Sequence, residues 1–110
     1  MSRYNYILYI FLFVVVSSIS VGCDTTADRE LRRAEEALDS ATDYDAEEHA
    51  TDDFKAADEY FQEAMELNDD GRIQEARTAA IKAKLRAEDA ERKAKERISV
   101  LNQEHDKLGR

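Results

Sequence analysis

Three side chains in this chain could bind a transition metal: the single cysteine, Cys23, and the two histidines, His49 and His105. The two histidines fall on different predicted helices, and neither has a second histidine four residues away. A zinc site needs several such ligands brought together, commonly two of them from one short motif. The sequence therefore predicts no metal site.

Catalysis by carboxylates would need two acids that reach the same substrate. The chain offers adjacent acids instead: Glu47-Glu48, Asp52-Asp53 and Asp69-Asp70. Adjacent side chains on a helix diverge by about 100°, so they cannot share a proton. No glycine-rich phosphate loop and no Ser-His-Asp grouping is present in the sequence. We predict no catalytic residue, no cofactor and no enzymatic activity.

The N-terminal residues have the pattern of a secretory signal peptide. Arg3 precedes an unbroken apolar run, Ile7–Val16, and small and polar residues follow up to Gly22. Ten strongly apolar residues are fewer than the roughly 20 that a membrane-spanning helix requires. Residues 1–22 are therefore predicted to be a removable signal peptide, with an uncleaved signal anchor as the alternative.

Cys23 directly follows this segment. Ser20-Val21-Gly22-Cys23 resembles the lipobox of bacterial lipoproteins, which implies cleavage before Cys23 and acylation of its thiol and amino group. Two or three acyl chains anchor a protein durably, whereas one binds only marginally. Residues 23–26 would then be a lipidated cysteine and a short tether. The alternative is an ordinary cleavage site followed by a free thiol.

The remainder, residues 27–110, is predicted to be one all-α domain. Proline is absent and alanine recurs at steps of three and four residues, the spacing that puts side chains on one helix face. We expect helices over about 27–41, 46–68 and 72–107, with Thr26 as the N-cap of the first. Ala46 and Ala50 lead into the second helix, which we expect to be re-initiated at Thr51 as its N-cap. A bend or loop is expected over 42–45, where residues that compete with helical backbone bonding cluster.

The second and third predicted helices should form an antiparallel hairpin, with Gly71 in the left-handed conformation at the turn. We call the alanines on the inner face of the third helix the alanine seam: Ala76, Ala80, Ala83, Ala87, Ala90 and Ala94. Pairing outward from the turn places Ala50 near Ala90 and Ala46 near Ala94. With the first helix added, the expected fold is a three-helix bundle with a long last helix.

Larger apolar residues continue the seam: Ile98, Leu101 and Leu108. They lie beyond the end of the second predicted helix, so either the first helix covers them or another protein does. We predict that these three residues form a face for a protein partner or for self-association.

Charge divides the chain into two parts. The formal net charge is −9, but 18 acidic and 4 basic residues lie between Asp24 and Asp70, against 7 acidic and 11 basic residues from Gly71 onward. A nucleic-acid-binding domain should be basic as a whole, so we expect no nucleic-acid partner. Complementary charge between packed helices explains the division more simply.

Two resemblances extend this interpretation. Ala57-x-x-Tyr60-Phe61-x-x-Ala64 and the alanines after Gly71 resemble a tetratricopeptide-type hairpin, although no second repeat follows. The lipobox, Leu31-x-x-Ala34-x-x-Ala37-Leu38-x-x-Ala41 and Ala50-x-x-x-Phe54-x-x-Ala57 resemble an Ala-rich domain-of-unknown-function family of bacterial envelope lipoproteins. Members of that family sometimes precede OmpA-like peptidoglycan-binding domains.

These resemblances imply a place and a fold but no reaction. We expect a non-enzymatic structural or protein-interaction module, anchored through Cys23 in the bacterial cell envelope and facing the periplasm, with the inner and outer membranes as open alternatives. No small-molecule substrate is expected, since a helix packed through alanine leaves no pocket. The alternative is a coiled-coil oligomer similar to the murein lipoprotein, or a secreted or signal-anchored helical protein without lipid.

Overall fold

The computed structural model describes residues 2–16 and 26–109, and every regular element in these ranges is a helix. The helices are α1 (Ser2–Val16), α2 (Asp28–Asp43), α3 (Ala46–His49), α4 (Thr51–Asp69) and α5 (Ile73–Leu108). The predicted all-α fold and the long last helix are confirmed. At 36 residues, α5 is about 54 Å long.

Helix α1 lies within the predicted signal peptide and packs against none of the other described helices. None of the described helices is both long enough and apolar enough to cross a membrane. The predicted cleavage site and Cys23 lie outside the described residues.

Helices α4 and α5 form the predicted antiparallel hairpin. Gly71 has a φ of 77°, as expected for the residue that ends a helix in the left-handed conformation. The Gly71 N–H donates to the Asn68 carbonyl at 3.1 Å, and the Arg72 N–H donates to the Leu67 carbonyl at 2.9 Å. These bonds satisfy carbonyls that the end of α4 would otherwise leave unpaired.

The core is built almost wholly from alanine. All six residues of the alanine seam are fully buried, and no larger side chain in the described ranges is completely buried. Ala41, Ala46 and Ala50 pack with Ala90 and Ala94 in one cluster, which confirms the predicted pairings across the hairpin. Nearer the turn, Ala64 packs with Ala79 and Ala80. Methyl groups let the helix axes approach closely, while Phe54 and Phe61 seal the edges of the core.

Helix α2 runs parallel to α5 and in step with it. The Arg77 guanidinium donates to the Thr26 carbonyl at 3.4 Å, and the Ser40 hydroxyl donates to the Glu91 carboxylate at 2.9 Å. Both contacts join residues 51 apart in the sequence, so the two helices advance together. The start of α2 therefore lies at the α4–α5 turn, and its end lies near Lys95.

Three sequence-based boundaries need correction. The predicted second helix, 46–68, is two separate helices, because Ala50 leaves the helical region with φ −142° and ψ 49°. Helix α4 begins at Thr51, where re-initiation is predicted. Ala46 and Ala50 both pack against α5 together with Ala41 of α2, and this shared burial overrides alanine's helix propensity. Thr51 is not an N-cap; its hydroxyl donates backward to the Glu47 carbonyl at 2.9 Å.

Thr26 is not an N-cap either. Ala27 occupies the N-cap position of α2, and its N–H donates to the side-chain oxygen of Asn68 at 2.9 Å. This bond satisfies the backbone N–H of Ala27 with a side chain from the last turn of α4. Asn68 thereby ties the start of α2 to the hairpin.

Among the residues that the structure describes, Asp53 is the buried charged residue, with 8% of its surface exposed. It joins α4 to α5. Its carboxylate accepts hydrogen bonds from Lys93 and, at 3.3 Å, from Arg86. The hydrogen bond from Lys93 is the main cause that lowers the pKa of Asp53 below its ordinary value of 3.8, and Arg86 adds to it. Asp53 is thus held ionised between two cations.

Replacing Asp53 tests this cross-tie. We expect Asp53→Ala to lower the free energy of unfolding by about 1 kcal/mol, because it removes two hydrogen bonds to charged groups whose partners are themselves half-exposed. Asp52→Ala, which removes a first-turn acid from an exposed position, is the matched control and should cost less. Urea unfolding followed by circular dichroism measures both, and equal losses would contradict the cross-tie.

The same carboxylate predicts a pH dependence. Because the folded-state pKa of Asp53 is lowered, its contribution to stability is complete above the ordinary pKa of 3.8 and is lost as pH falls below it. Between about pH 5 and pH 3, the wild type should lose more stability than Asp53→Asn does. Parallel stability curves for the two proteins over this range would be inconsistent with an ionised, paired Asp53.

Replacing Gly71 tests the turn. A Cβ added at this position would meet no atom within 4 Å, so Gly71→Ala changes the backbone preference without a clash. Its positive φ should make the substitution cost about 1 kcal/mol, measured as a lower unfolding midpoint. Gly109 follows α5 with a φ of −80°, so Gly109→Ala is the control and should be nearly neutral.

Candidate interaction site

The three residues predicted to form a partner face all lie on α5 beyond the rest of the bundle. Ile98 is half-buried, Leu101 is 47% exposed and Leu108 is 87% exposed. We call residues 96–108 the free segment, because no helix in the described part of the chain covers its outer turns. The other predicted site residue, Cys23, lies outside the described residues.

The free segment continues the inner face of α5. Ile98, Leu101, His105 and Leu108 follow one another at spacings of three, four and three, which keeps them on one face of the helix. The same face is buried at Ala94 and becomes exposed from Leu101 onward. The apolar stripe therefore begins where the cover supplied by α2, α3 and α4 ends.

The end of α2 fixes where the free segment begins. The ring of Tyr44, the residue that follows α2, lies 4.4 Å from the Lys95 ammonium group. Lys95 also donates to the Glu91 carboxylate, as does Ser40 of α2. These hydrogen bonds, from Lys95 first and Ser40 second, lower the pKa of Glu91 below its ordinary value. Helix α2 is thus tied to α5 up to Lys95 and does not reach Leu101 or Leu108.

A shallow open groove of about 380 Å³ lies at this junction. Its lining consists of Tyr44, Lys95, Ile98, Ser99, Asn102, Gln103 and Asp106. Sequence reasoning identified Ile98 here but not the polar residues beside it, which differ from ordinary solvent-exposed positions only because Tyr44 packs against their helix. The groove adds hydrogen-bonding groups to one edge of the apolar stripe.

Within the described ranges, no three His, Cys, Asp or Glu side chains lie close enough together to hold a metal ion. His49 lies on α3 and His105 on the free segment, and Asp53 is engaged by two cations. An exposed apolar stripe on a helix, edged by polar groups, instead fits another helix or an apolar groove.

The inner face of α5 is buried up to Ala94 and exposed from Leu101 onward. We therefore expect an aspartate to have different effects on stability in the two parts. Ala94 and Leu101 lie seven residues apart on the same face of α5, but Ala94 is fully buried and Leu101 is 47% exposed. We expect Ala94→Asp to cost about 3 kcal/mol or more, because it buries an unpaired charge. Leu101→Asp should stay within about 0.5 kcal/mol of wild type in dilute solution. Thermal unfolding measures both, and a comparable loss from each would contradict the open segment.

Comparison with known proteins identifies the family. The model of a domain-of-unknown-function family, DUF4398, matches residues 29–104, which include all of α3 and α4 and most of α2 and α5. No curated protein and no solved structure matches the chain. The matched residues are more than two-thirds of the sequence. The chain belongs to the DUF4398 family of domains of unknown function.

Proposed function

We propose that this protein is a non-enzymatic module of the bacterial cell envelope, anchored by lipid on Cys23 and facing the periplasm, whose free segment binds a protein partner. The observation that carries the proposal is that the start of α2 and the free segment lie at opposite ends of the bundle. Thr26 lies beside Arg77 near the α4–α5 turn, whereas the free segment extends from the opposite end of the bundle.

The position of Thr26 supports an anchor at one end of the bundle. Thr26 is three residues after Cys23 in the sequence, so the cysteine can lie no more than about 11 Å from the Thr26 backbone. Asn68 and Arg77 hold the start of α2 against the hairpin. A lipid on Cys23 would therefore keep the turn end of the bundle near the membrane surface.

The length of α5 supports a binding role at the other end. The 36 residues of α5 span about 54 Å, and the last 13 of them are the free segment. Helices of the same chain fully bury the alanine seam, so the seam is not available to a partner. The stripe formed by Ile98, Leu101, His105 and Leu108 is the part of that face left open to a partner.

The anchor is tested by expressing the wild type and Cys23→Ala in a bacterium. We expect the wild type to fractionate with membranes and to have an intact mass that begins at Cys23 and includes acyl chains. Cys23→Ala should carry no acyl chains, because the substitution removes the thiol that accepts them. Thr25→Ala, two residues away, is the control and should behave as the wild type does.

Other masses would contradict the anchor. A wild-type chain that starts at Cys23 without added acyl mass would indicate ordinary secretion. A chain that retains residues 1–22 in the membrane would indicate an uncleaved signal anchor.

A further inference from the structure

The shape around the stripe restricts what can cover it. The face that carries Leu101 is, one heptad earlier, the face on which Ala46 of α3 packs against Ala94. A helix lying along the stripe must therefore end where it meets α3, and its other end must extend past Leu108. The available length is that of the free segment, 13 residues or about 19 Å.

We propose that the occupant is the free segment of a second copy of this chain, packed antiparallel. This inference rests on the proposed function, since it names the partner of the same surface. Two segments of equal length that run in opposite directions overlap completely, with residue 96 of one level with residue 108 of the other. Each tip then stops at α3 of the other copy, and both bundles lie at the outer ends.

Charge on the free segment favours this direction. Arg97 and Glu104 are exposed, form no ion pair among the described residues, and lie seven residues apart on the same edge of the stripe. Antiparallel helices related by a twofold axis bring the same edges together. With the segments fully overlapped, Arg97 of one copy and Glu104 of the other are offset by three residues, about 4.5 Å, which their side chains can span.

The symmetric arrangement makes this contact twice. Parallel packing would instead bring opposite edges of the two stripes together, so that Arg97 of one copy would not face Glu104 of the other. It would also force the bundles of both copies to the same end of the pair. The other charges near Arg97 are already engaged: Lys95 pairs with Glu91, and Glu96 pairs with Arg92 at 3.4 Å. Arg97 is the cation at this level that the described bundle leaves for a partner.

Two 13-residue helices form an interface below the size of most stable protein complexes, so we expect weak association in dilute solution. Confinement of the anchors to a membrane raises the effective concentration. Because the anchored ends of the pair lie at its two extremities, the paired helices would lie along one membrane or connect two facing surfaces.

The test is sedimentation of the full-length protein, purified in a detergent matched in density to the buffer, over a wide range of concentration. We expect the wild type to show a concentration-dependent dimer. Arg97→Glu and Glu104→Arg should each weaken dimerisation about tenfold, because each turns two attractions into repulsions. Glu96→Arg is the matched control: it alters an exposed charge of the same segment on the side away from the stripe, and it should leave dimerisation unchanged.

Combining the charge reversals decides the direction of packing. A mixture of Arg97→Glu with Glu104→Arg should dimerise more strongly than either variant alone, since every Arg97–Glu104 contact then joins opposite charges again. The double variant, Arg97→Glu with Glu104→Arg, should also regain dimerisation. A dimer that neither reversal weakens, or a mixture no stronger than its components, would overturn antiparallel pairing.

A protein that remains monomeric at all concentrations would overturn self-association itself. That result leaves the anchor unaffected, because the anchor is judged by the mass and fractionation of the Cys23 variant. The two proposals can thus fail separately.

Discussion

The packing of alanine methyl groups along α5 is the constraint on which the rest of the structure depends. From Ala76 to Ala94 the inner face of α5 is fully buried, and residues of α2, α3 and α4 pack against it. Small side chains let several helices share one face of a single long helix. They also remove little apolar surface per residue, at roughly 0.8 kcal/mol for each buried methyl-sized group.

Because such a core buries little apolar surface, polar connections between the helices become more important to the fold. Asp53 joins α4 to two cations of α5, Glu91 joins α5 to α2, and Asn68 bonds the first backbone N–H of the bundle. Each connection is placed where a helix begins, ends or meets α5 at its edge. They set the direction and register of helices whose smooth alanine surfaces would otherwise permit sliding.

The end of the alanine seam separates the structural part of α5 from the part available for binding. Up to Ala94 the helix is the centre of a bundle, and beyond it the same face carries larger apolar side chains without cover. Tyr44 and Lys95 mark the boundary. One continuous helix thus connects the end near Thr26 with a distant exposed surface, which gives the proposed anchor and the proposed binding face a fixed separation.

Much of this arrangement follows from periodicity in the sequence. The hairpin, the left-handed Gly71 and the pairings of Ala46 and Ala50 with α5 are local or repeat in step with the helix, so spacing alone predicts them. The re-initiation of the helix at Thr51 could also be predicted, but the role of Asn68 as a partner for Ala27 depends on a third helix packing against the hairpin. No local pattern in the sequence encodes such a contact. This is why the sequence predicts Thr26 as the cap of α2, whereas in the structure Asn68 bonds to the start of that helix.

The buried state of Asp53 was equally inaccessible to sequence reasoning. Asp52 and Asp53 are chemically identical neighbours at the start of α4, and only the position of Lys93 and Arg86 on α5 distinguishes them. Ile98, Leu101 and Leu108 could be predicted from their spacing. That α2 does not cover Leu101 and Leu108 is evident only from the length of that helix and the position of its end.

Hydrogen exchange along α5 in dilute, monomeric protein tests most directly whether the alanine seam divides the helix into a covered and an open part. We expect slow exchange for the amides from Ala76 to Ala94 and much faster exchange from Arg97 to Leu108, because the second part is helical but is covered by no other helix. Uniformly slow exchange to Leu108 would contradict the open segment, and uniformly fast exchange would contradict the alanine core.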